Sequence, residues 1–244
     1  MADQLTPYLQ ETILLDFHTP TISQLIEQRG WQALTAYEKI AQTYAFVRDE
    51  IAFGYNVDDA RKASEVLKEG IGQCNTKSTL LMALLRAVGI PCRLHGFTID
   101  KALQKGAQAG LVYRLAPQEI VHSWTEVYYE GHWLTLEGVI LDKTYLQAVQ
   151  KNFAEHKGAF YGYGLAVADL EHINVDWQGE DTYIQSLGIV QDFGLYASPD
   201  AFFVEHSQSL PFCKRWLYQH IGRKLMNNRV DRMRCQNTNQ FTSS

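Results

Sequence analysis

Cys74 is the side chain with the clearest potential for chemistry, because it is the first residue of a predicted helix. It follows a glycine-rich turn that contains Gly70 and Gly72. A helix N-terminus presents unpaired N–H groups and a partial positive charge, and both stabilise a thiolate. The same N–H groups could bind the oxyanion that forms when the sulfur attacks a carbonyl carbon. The alternative interpretation is that Cys74 is a small, buried apolar residue.

A cysteine nucleophile needs a base, and the base needs a group that orients it. The pair Glu130-Gly131 predicts a two-residue hairpin turn. That turn places Trp124 opposite Glu137 and His122 opposite Val139. Glu137 then becomes the diagonal neighbour of His122, with roughly 7–8 Å between their backbones. A carboxylate at this position could fix the tautomer of the imidazole and stabilise its protonated form.

Other assignments remain open from the residues alone. Glu126 lies on the same predicted face as His122 and is an alternative partner for it. Asp142 is a further acid, although it lies beyond the end of the predicted strand pairing. His122 could also be a hydrogen-bonded structural residue, which is how we interpret His95 and His132.

The sequence lacks the other motifs that we considered. No two histidines stand four residues apart with a carboxylate, so metal-dependent hydrolysis has no support. The phosphate-binding patterns GxxxxGK[ST] and GxGxxG are missing as well. No CxxC pair occurs among the four cysteines, which argues against a disulfide framework and a structural zinc site; they are Cys74, Cys92, Cys213 and Cys235. We therefore expect a thiol-reducing, cytoplasmic location.

Charge and hydropathy limit the classes of partner. The chain has 244 residues and a formal net charge of −5, which indicates neither nucleic acid nor a membrane as a partner. Residues 213–235 nevertheless hold seven Lys or Arg against Asp231 alone. We expect this basic segment to dock as a helix on its own acidic domain, with a partner or an anionic surface as the alternative. The N-terminus lacks the pattern of a signal peptide, and no apolar run approaches the length of a membrane span.

Residue periodicity predicts helices first and strands afterwards, which is typical of an α+β domain. The predicted helices are 34–51, one from Asp58 or Asp59 to about Lys68, 74–88, 143–153 and about 214–225. The predicted strands are 92–99, 122–129 and 132–140, with a polar connection at 100–110. The polar residues 236–244 are predicted to form a disordered tail.

Four motifs in order together resemble the transglutaminase-like superfamily. They are GIGQC at 70–74, LLRAVGIPCR at 84–93, HSWTEVYYEGHW at 122–133, and the acid four residues after Trp133. The resemblance covers residues 35–142. It implies a papain-like core, with N-terminal helices packed on an antiparallel sheet and an additional C-terminal region. It also implies a Cys-His-acid triad made of Cys74, His122 and Glu137, where the family usually has aspartate at the third position.

The resemblance implies cysteine-dependent acyl transfer on the amide bond of a peptide or protein through a thioester. We expect hydrolysis by a peptidase or amidase, with transamidation as a variant and no metal or cofactor. Gln73 and Trp124 are candidate contacts for the oxyanion or the substrate. Residues 1–142 are predicted to form the helices and catalytic core, and 143–235 an extension that serves as a lid or substrate wall. The alternative is a protein-binding module that keeps the fold without activity; the oligomeric state stays open.

Overall fold

The computed structural model describes residues 2–108, 110–207 and 216–235. The predictions for Lys214, Arg215, Cys213 and the tail 236–244 therefore lie outside the described residues. The α-helices are α1 (Ala2–Leu5), α2 (Pro20–Arg29), α3 (Ala36–Asp49), α4 (Ala63–Glu69), α5 (Cys74–Ala87), α6 (Gly110–Leu115), α7 (Lys143–Asn152), α8 (Pro199–Glu205) and α9 (Arg223–Cys235). Short 3₁₀ turns cover Thr6–Leu9, Trp31–Ala33, Lys101–Gln104, Glu137–Val139 and Ser186–Gly188, and a π-helical turn covers Tyr218–Gly222.

The main sheet is antiparallel and has the strand order β5-β4-β3-β8. Its strands are β3 (Cys92–Asp100), β4 (Glu119–Tyr129), β5 (His132–Thr135) and β8 (Ile189–Tyr196). Two smaller pairs accompany it: β1 (Ala52–Phe53) runs parallel to β2 (Ile71–Gly72), and β6 (Phe160–Gly162) pairs antiparallel with β7 (Leu165–Val167). Helices that lead into an antiparallel sheet confirm the predicted α+β class.

Helix α5 lies at the centre of the molecule. From Leu80 to Leu85 every residue of α5 is fully buried, and the helix packs against α3, α4 and β4. Helix α3 is stabilised at its start by Thr35, whose hydroxyl accepts the N–H of Glu38 while the Glu38 carboxylate accepts that of Thr35. The predictions for α3 and α5 are confirmed.

The predicted start of the second helix is wrong. Helix α4 begins at Ala63, and neither Asp58 nor Asp59 caps it. Asp59 instead accepts a hydrogen bond from Gln73 Nε2 at 2.8 Å, so this acid is committed to the segment before α5. The predicted exit at Gly70 is confirmed, because Gly70 has a φ of 65°, a left-handed conformation that favours glycine.

The predicted strand 132–140 is too long. The two-residue turn forms as predicted and pairs Tyr129 with His132, but β5 ends at Thr135. The chain then enters a 3₁₀ turn because the Glu137 N–H bonds to Thr182 O at 3.1 Å instead of continuing the pairing with β4. The predicted cross-strand pairs beyond Thr135, Trp124 with Glu137 and His122 with Val139, therefore do not form.

The C-terminal helix differs from its prediction in its bounds. Helix α9 runs to Cys235, well beyond the predicted end at Leu225, and packs against α7. Arg234 of α9 forms an ion pair with Asp142 at 2.7 Å, so the described part of the basic segment docks on its own chain. Among the helices of the described ranges, none is long and apolar enough to cross a bilayer.

Candidate active site

The start of α5 is held in place by close packing and by polar contacts. A Cβ atom at Gly72 would lie 2.7 Å from Lys77 Cγ, so only glycine allows the chain to approach the helix this closely. The Thr76 hydroxyl accepts the N–H of Gln73 at 3.0 Å. Cys74 follows Gln73 as the first helical residue and is 9% exposed.

Buried polar side chains join α5 to β4, the strand that carries His122. Asn75 Nδ2 donates to Val121 O at 3.1 Å, and the Ser123 hydroxyl donates to Asn75 Oδ1 at 2.9 Å. One turn further along α5, the Ser78 hydroxyl donates to Ser123 O at 3.3 Å. Because such groups are costly to bury without partners, these bonds set the position of the α5 N-terminus relative to His122.

His122 and Glu137 meet in the interior of the molecule. His122 Nε2 lies 3.3 Å from Glu137 Oε1, and both side chains are fully buried. The second oxygen, Glu137 Oε2, accepts the backbone N–H of Ile184 at 2.8 Å and that of Gln185 at 3.1 Å. The carboxylate is thus oriented from both sides, with one oxygen directed at the imidazole.

The turn that carries Glu137 is stabilised by the segment that follows Asp181. The Gly138 N–H donates to the Thr182 hydroxyl at 3.1 Å, and the Tyr44 hydroxyl lies 3.3 Å from the same oxygen. A Cβ at Gly138 would lie 2.5 Å from the Tyr44 hydroxyl. Glycine is therefore the residue that fits directly after Glu137.

His122 is electrostatically coupled to both of its predicted partners. Burial by itself lowers the pKa of His122, but the charge and hydrogen bonding of Cys74, followed by those of Glu137, raise that pKa to about 10. The other ring nitrogen, Nδ1, is buried and has no partner with full hydrogen-bond geometry among the described residues. Cys74 acts on the imidazole through charge and hydrogen bonding, and catalytic hydrogen bonds that are long or poorly aligned are common in enzymes without substrate.

The two alternative acids are engaged elsewhere. Glu126 binds Arg93 at 2.7 Å and His95 at 2.9 Å, so it belongs to a largely buried ion-pair network on the sheet. Asp142 caps α7 through the N–H of Tyr145 at 2.8 Å and also pairs with the α9 arginine. Glu137 is the one of the three predicted acids that contacts His122.

The two candidate substrate contacts differ in their availability. Gln73 uses its carboxamide inside the protein, because Oε1 accepts the Asn56 N–H at 2.7 Å and Nε2 donates to Asp59. Trp124 is buried, and its indole Nε1 has no hydrogen-bond partner within the part of the chain that the structure describes. Its ring lies on Phe97 with centroids 4.1 Å apart, and meets the His122 ring edge-on at 6.3 Å.

Some features of this site have no sequence signature. The N–H groups of Ile184 and Gln185 orient Glu137 through the backbone, so no residue type marks them. Tyr218 reaches the site from the C-terminal segment, where its hydroxyl donates to Asn56 O at 3.1 Å. Within the described ranges, no three His, Cys, Asp or Glu side chains are grouped so that they could hold a metal ion.

The chain has partial similarity to a curated protein and to a solved structure. A curated relative, "Uncharacterized protein YebA" of Bacillus subtilis (strain 168), is 36% identical over 69 residues, which are 28% of this chain and 9% of the relative. A solved structure from Cytophaga hutchinsonii, described as a "Putative Cysteine Protease", has a TM-score of 0.43 and 13% identity over 81% of this chain and 48% of that chain. Both matches take in less than half the length of the other protein.

The family comparison covers the elements that carry the three side chains. The sequence model of the Transglutaminase-like superfamily matches residues 26–138, from the end of α2 to the turn that holds Glu137. Residues 26–138 of this chain therefore match the core domain of the Transglutaminase-like superfamily.

Proposed function

We propose that Cys74, His122 and Glu137 form the catalytic triad of a cysteine-dependent enzyme that transfers acyl groups from amide bonds. The observation that carries the proposal is the buried imidazole of His122, which Glu137 orients from one side and Cys74 attracts from the other. A buried histidine held protonated beside a cysteine and a carboxylate is the arrangement expected of an ion-pair nucleophile.

In the proposed reaction the Cys74 thiolate attacks the carbonyl carbon of the amide. The backbone N–H of Cys74, at the start of α5, stabilises the oxyanion. Trp124 is a better candidate than Gln73 for the second donor, because the Gln73 carboxamide is already bonded and the Trp124 indole N–H is not. Protonated His122 then donates its Nδ1 proton to the leaving amine, and a thioester remains on Cys74.

The thioester is released by a second nucleophile. Neutral His122 removes a proton from water, which attacks the thioester and gives a carboxylic acid; an amine in place of water gives a new amide. General acid–base assistance of this kind contributes roughly 10²–10⁴-fold. We propose hydrolysis of a peptide or protein amide as the main reaction, in a thiol-reducing compartment such as the cytoplasm.

Selective modification of Cys74 tests the proposal. At neutral pH a small alkylating reagent should label Cys74 faster than Cys235, although Cys235 is exposed and Cys74 is largely buried. A Cys235→Ser variant removes the exposed background, and His122→Gln should slow the labelling of Cys74 while leaving the fold intact. Slow labelling that His122→Gln leaves unchanged would contradict the triad and favour the non-catalytic binding module.

A further inference from the structure

The backbone edge of β1 that faces away from β2 lies beside the candidate active site and is hydrogen-bonded to side chains. The N–H groups of Ala52 and Gly54 donate to Gly70 O and Gly72 O, at 2.9 and 3.0 Å, which joins β1 to β2. Because N–H and C=O groups alternate in direction along an extended chain, the next residue, Tyr55, directs its polar groups to the opposite side. Among the described residues, no strand pairs with the opposite edge of β1.

Asn227 of α9 occupies this edge at Tyr55. Its Oδ1 accepts the Tyr55 N–H at 2.7 Å, and its Nδ2 donates to Tyr55 O at 3.1 Å. This is the double exchange that one residue makes with a paired residue in an antiparallel sheet. The carboxamide of Asn227 therefore takes the place of a peptide group.

Other side chains of the same region cap the residues on either side. Arg234 donates to Phe53 O at 3.0 Å, and Gln219 donates to Val57 O at 3.5 Å. Gly54 allows the close approach of the helix, since a Cβ at this position would lie 3.3 Å from Asn227 Oδ1. The edge from Phe53 to Val57 is thus covered from the C-terminal region by polar groups.

The covered edge lies next to the nucleophile. The N–H of Asn56 donates to Gln73 Oε1 at 2.7 Å, and Gln73 directly precedes Cys74. Burial raises the pKa of Tyr55 well above its usual range, and the charge of Cys74 contributes to the same shift. A chain bound along this edge would therefore be close to Cys74.

We propose that the main-chain groups of Tyr55 form a subsite for the backbone of an extended peptide substrate, and that Asn227 occupies this subsite as a built-in competitor. The inference rests on the proposed function of Cys74. A peptide would add a strand beside β1 and exchange its own N–H and C=O with Tyr55, a common mode of peptide recognition.

The contacts of Asn227 on α9 are of a kind that a bound peptide could replace. Met226 and Val230 are the buried apolar side chains of this helix, and the two neutral hydrogen bonds of Asn227 contribute about 1 kcal/mol net each. An incoming peptide replaces the two bonds of Asn227 with two of its own. The π-helical turn Tyr218–Gly222 directly before α9 is a rare geometry that occurs mostly as single turns inside α-helices and frequently at functional sites.

The test compares Asn227→Ala with Asn228→Ala in the full-length chain. Asn228 is an exposed neighbour on the same helix and serves as the matched control. Alkylation of Cys74 is followed by intact mass with two peptide probes, acetyl-Ala-Ala-Ala chloromethyl ketone and chloroacetyl-Ala-Ala-Ala amide, which carry the electrophile at opposite ends. Iodoacetamide reports the reactivity of the thiol without a peptide backbone.

For Asn227→Ala we expect the rate with at least one peptide probe to rise about tenfold relative to iodoacetamide, because two competing hydrogen bonds are lost. N-methylation of the backbone amides of that probe should remove the gain, and Asn228→Ala should show none. Asn227→Asp keeps the size of the side chain but cannot donate to Tyr55 O, so it replaces Asn227→Ala if that variant unfolds.

The experiment distinguishes failure of the Tyr55 subsite from failure of the proposed function of Cys74. An equal gain with iodoacetamide, with the N-methylated probe or in Asn228→Ala would show general loosening and overturn the subsite while leaving the triad standing. Unchanged peptide rates in both Asn227 variants would do the same. A Cys74 that reacts with none of the three reagents would overturn the proposed function, and the subsite with it.

Discussion

Glu137 Oε1 lies 3.3 Å from His122 Nε2, although the two residues are not paired across the sheet. The contact forms because β5 ends at Thr135 and the chain enters the 3₁₀ turn Glu137–Val139. This turn brings the Glu137 carboxylate to the His122 side chain on β4. The resulting orientation of Glu137 depends on the N–H groups of Ile184 and Gln185.

Glu137→Gln should lower turnover by up to about 10⁴-fold, the effect of the corresponding Asp→Asn change in a Ser-His-Asp enzyme. An amide cannot accept both backbone N–H groups and also stabilise a protonated imidazole. Glu126→Gln is the matched control, because Glu126 binds Arg93 and His95 instead of His122. Kinetics with any amide substrate that the enzyme turns over provide the measurement. Full turnover in Glu137→Gln would assign the third role to another group.

His122 should make the stability of the protein depend on pH in a defined direction. Its pKa in the folded state is about 10, above the value of 6.5 expected without these contacts. The folded state therefore binds the proton more tightly, and the stabilisation is complete below pH 6.5 and lost as pH rises toward about 10. Urea unfolding of the wild type and His122→Gln across this range measures the difference.

The exposed His132 provides the control for that experiment. His132→Gln should leave the pH dependence of unfolding as in the wild type. A wild-type curve that runs parallel to that of His122→Gln between pH 6.5 and 10 would contradict the coupling of His122 to Cys74 and Glu137.

Lys77 should have the opposite pH dependence. Its side chain is fully buried, and Nζ donates to Arg48 O at 3.0 Å. Burial lowers the pKa of Lys77 from 10.5 to about 7, so between these values the unfolded state binds more protons and stability rises with pH. Relative to wild type, Lys77→Met should therefore be most favourable below pH 7 and lose this advantage by about pH 10.5. Urea unfolding of the wild type and Lys77→Met over the same pH range measures this difference in stability.

Lys68 is exposed on α4 and serves as the control for the lysine substitution. The difference between Lys68→Met and wild type should not change with pH. If Lys77→Met shows the same flat difference, the ammonium of Lys77 is not desolvated in the folded state.

Gly138→Ala should reduce the free energy of unfolding by about 1–3 kcal/mol, because its Cβ would lie 2.5 Å from the Tyr44 hydroxyl. Tyr44→Phe removes that oxygen together with its bond to Val175 O. The double variant should lose less stability than the sum of the two single variants, as measured by a double-mutant cycle. Additive losses would mean that the clash is relieved elsewhere.

Much of the site could be predicted from local patterns. Cys74 at the first position of α5 follows from a glycine turn before a helical apolar period, and the hairpin register follows from Glu130-Gly131. The motif order added the resemblance to the family and the roles that we propose for the three side chains. The strand assumed beyond Thr135 was wrong, yet Glu137 still reaches His122 because a turn at that point also directs the side chain inward.

The remaining features depend on contacts between distant parts of the chain. Strand β8 and the segment around Thr182 show no clear period, since their residues are recruited by pairing with β3 and with the Glu137 turn. The basic composition of residues 213–235 predicted docking, but not that Asn227 would bind Tyr55.

The sequence by itself determined which residues could react and which elements would carry them, because helix starts, tight turns and strand alternation are local properties of the backbone. Tertiary structure decided which acid faces His122, which N–H groups orient that acid, and what covers the edge beside Cys74. Those choices depend on the burial of polar groups that find their partners only when segments more than a hundred residues apart pack together, as Asn227 and Tyr55 do.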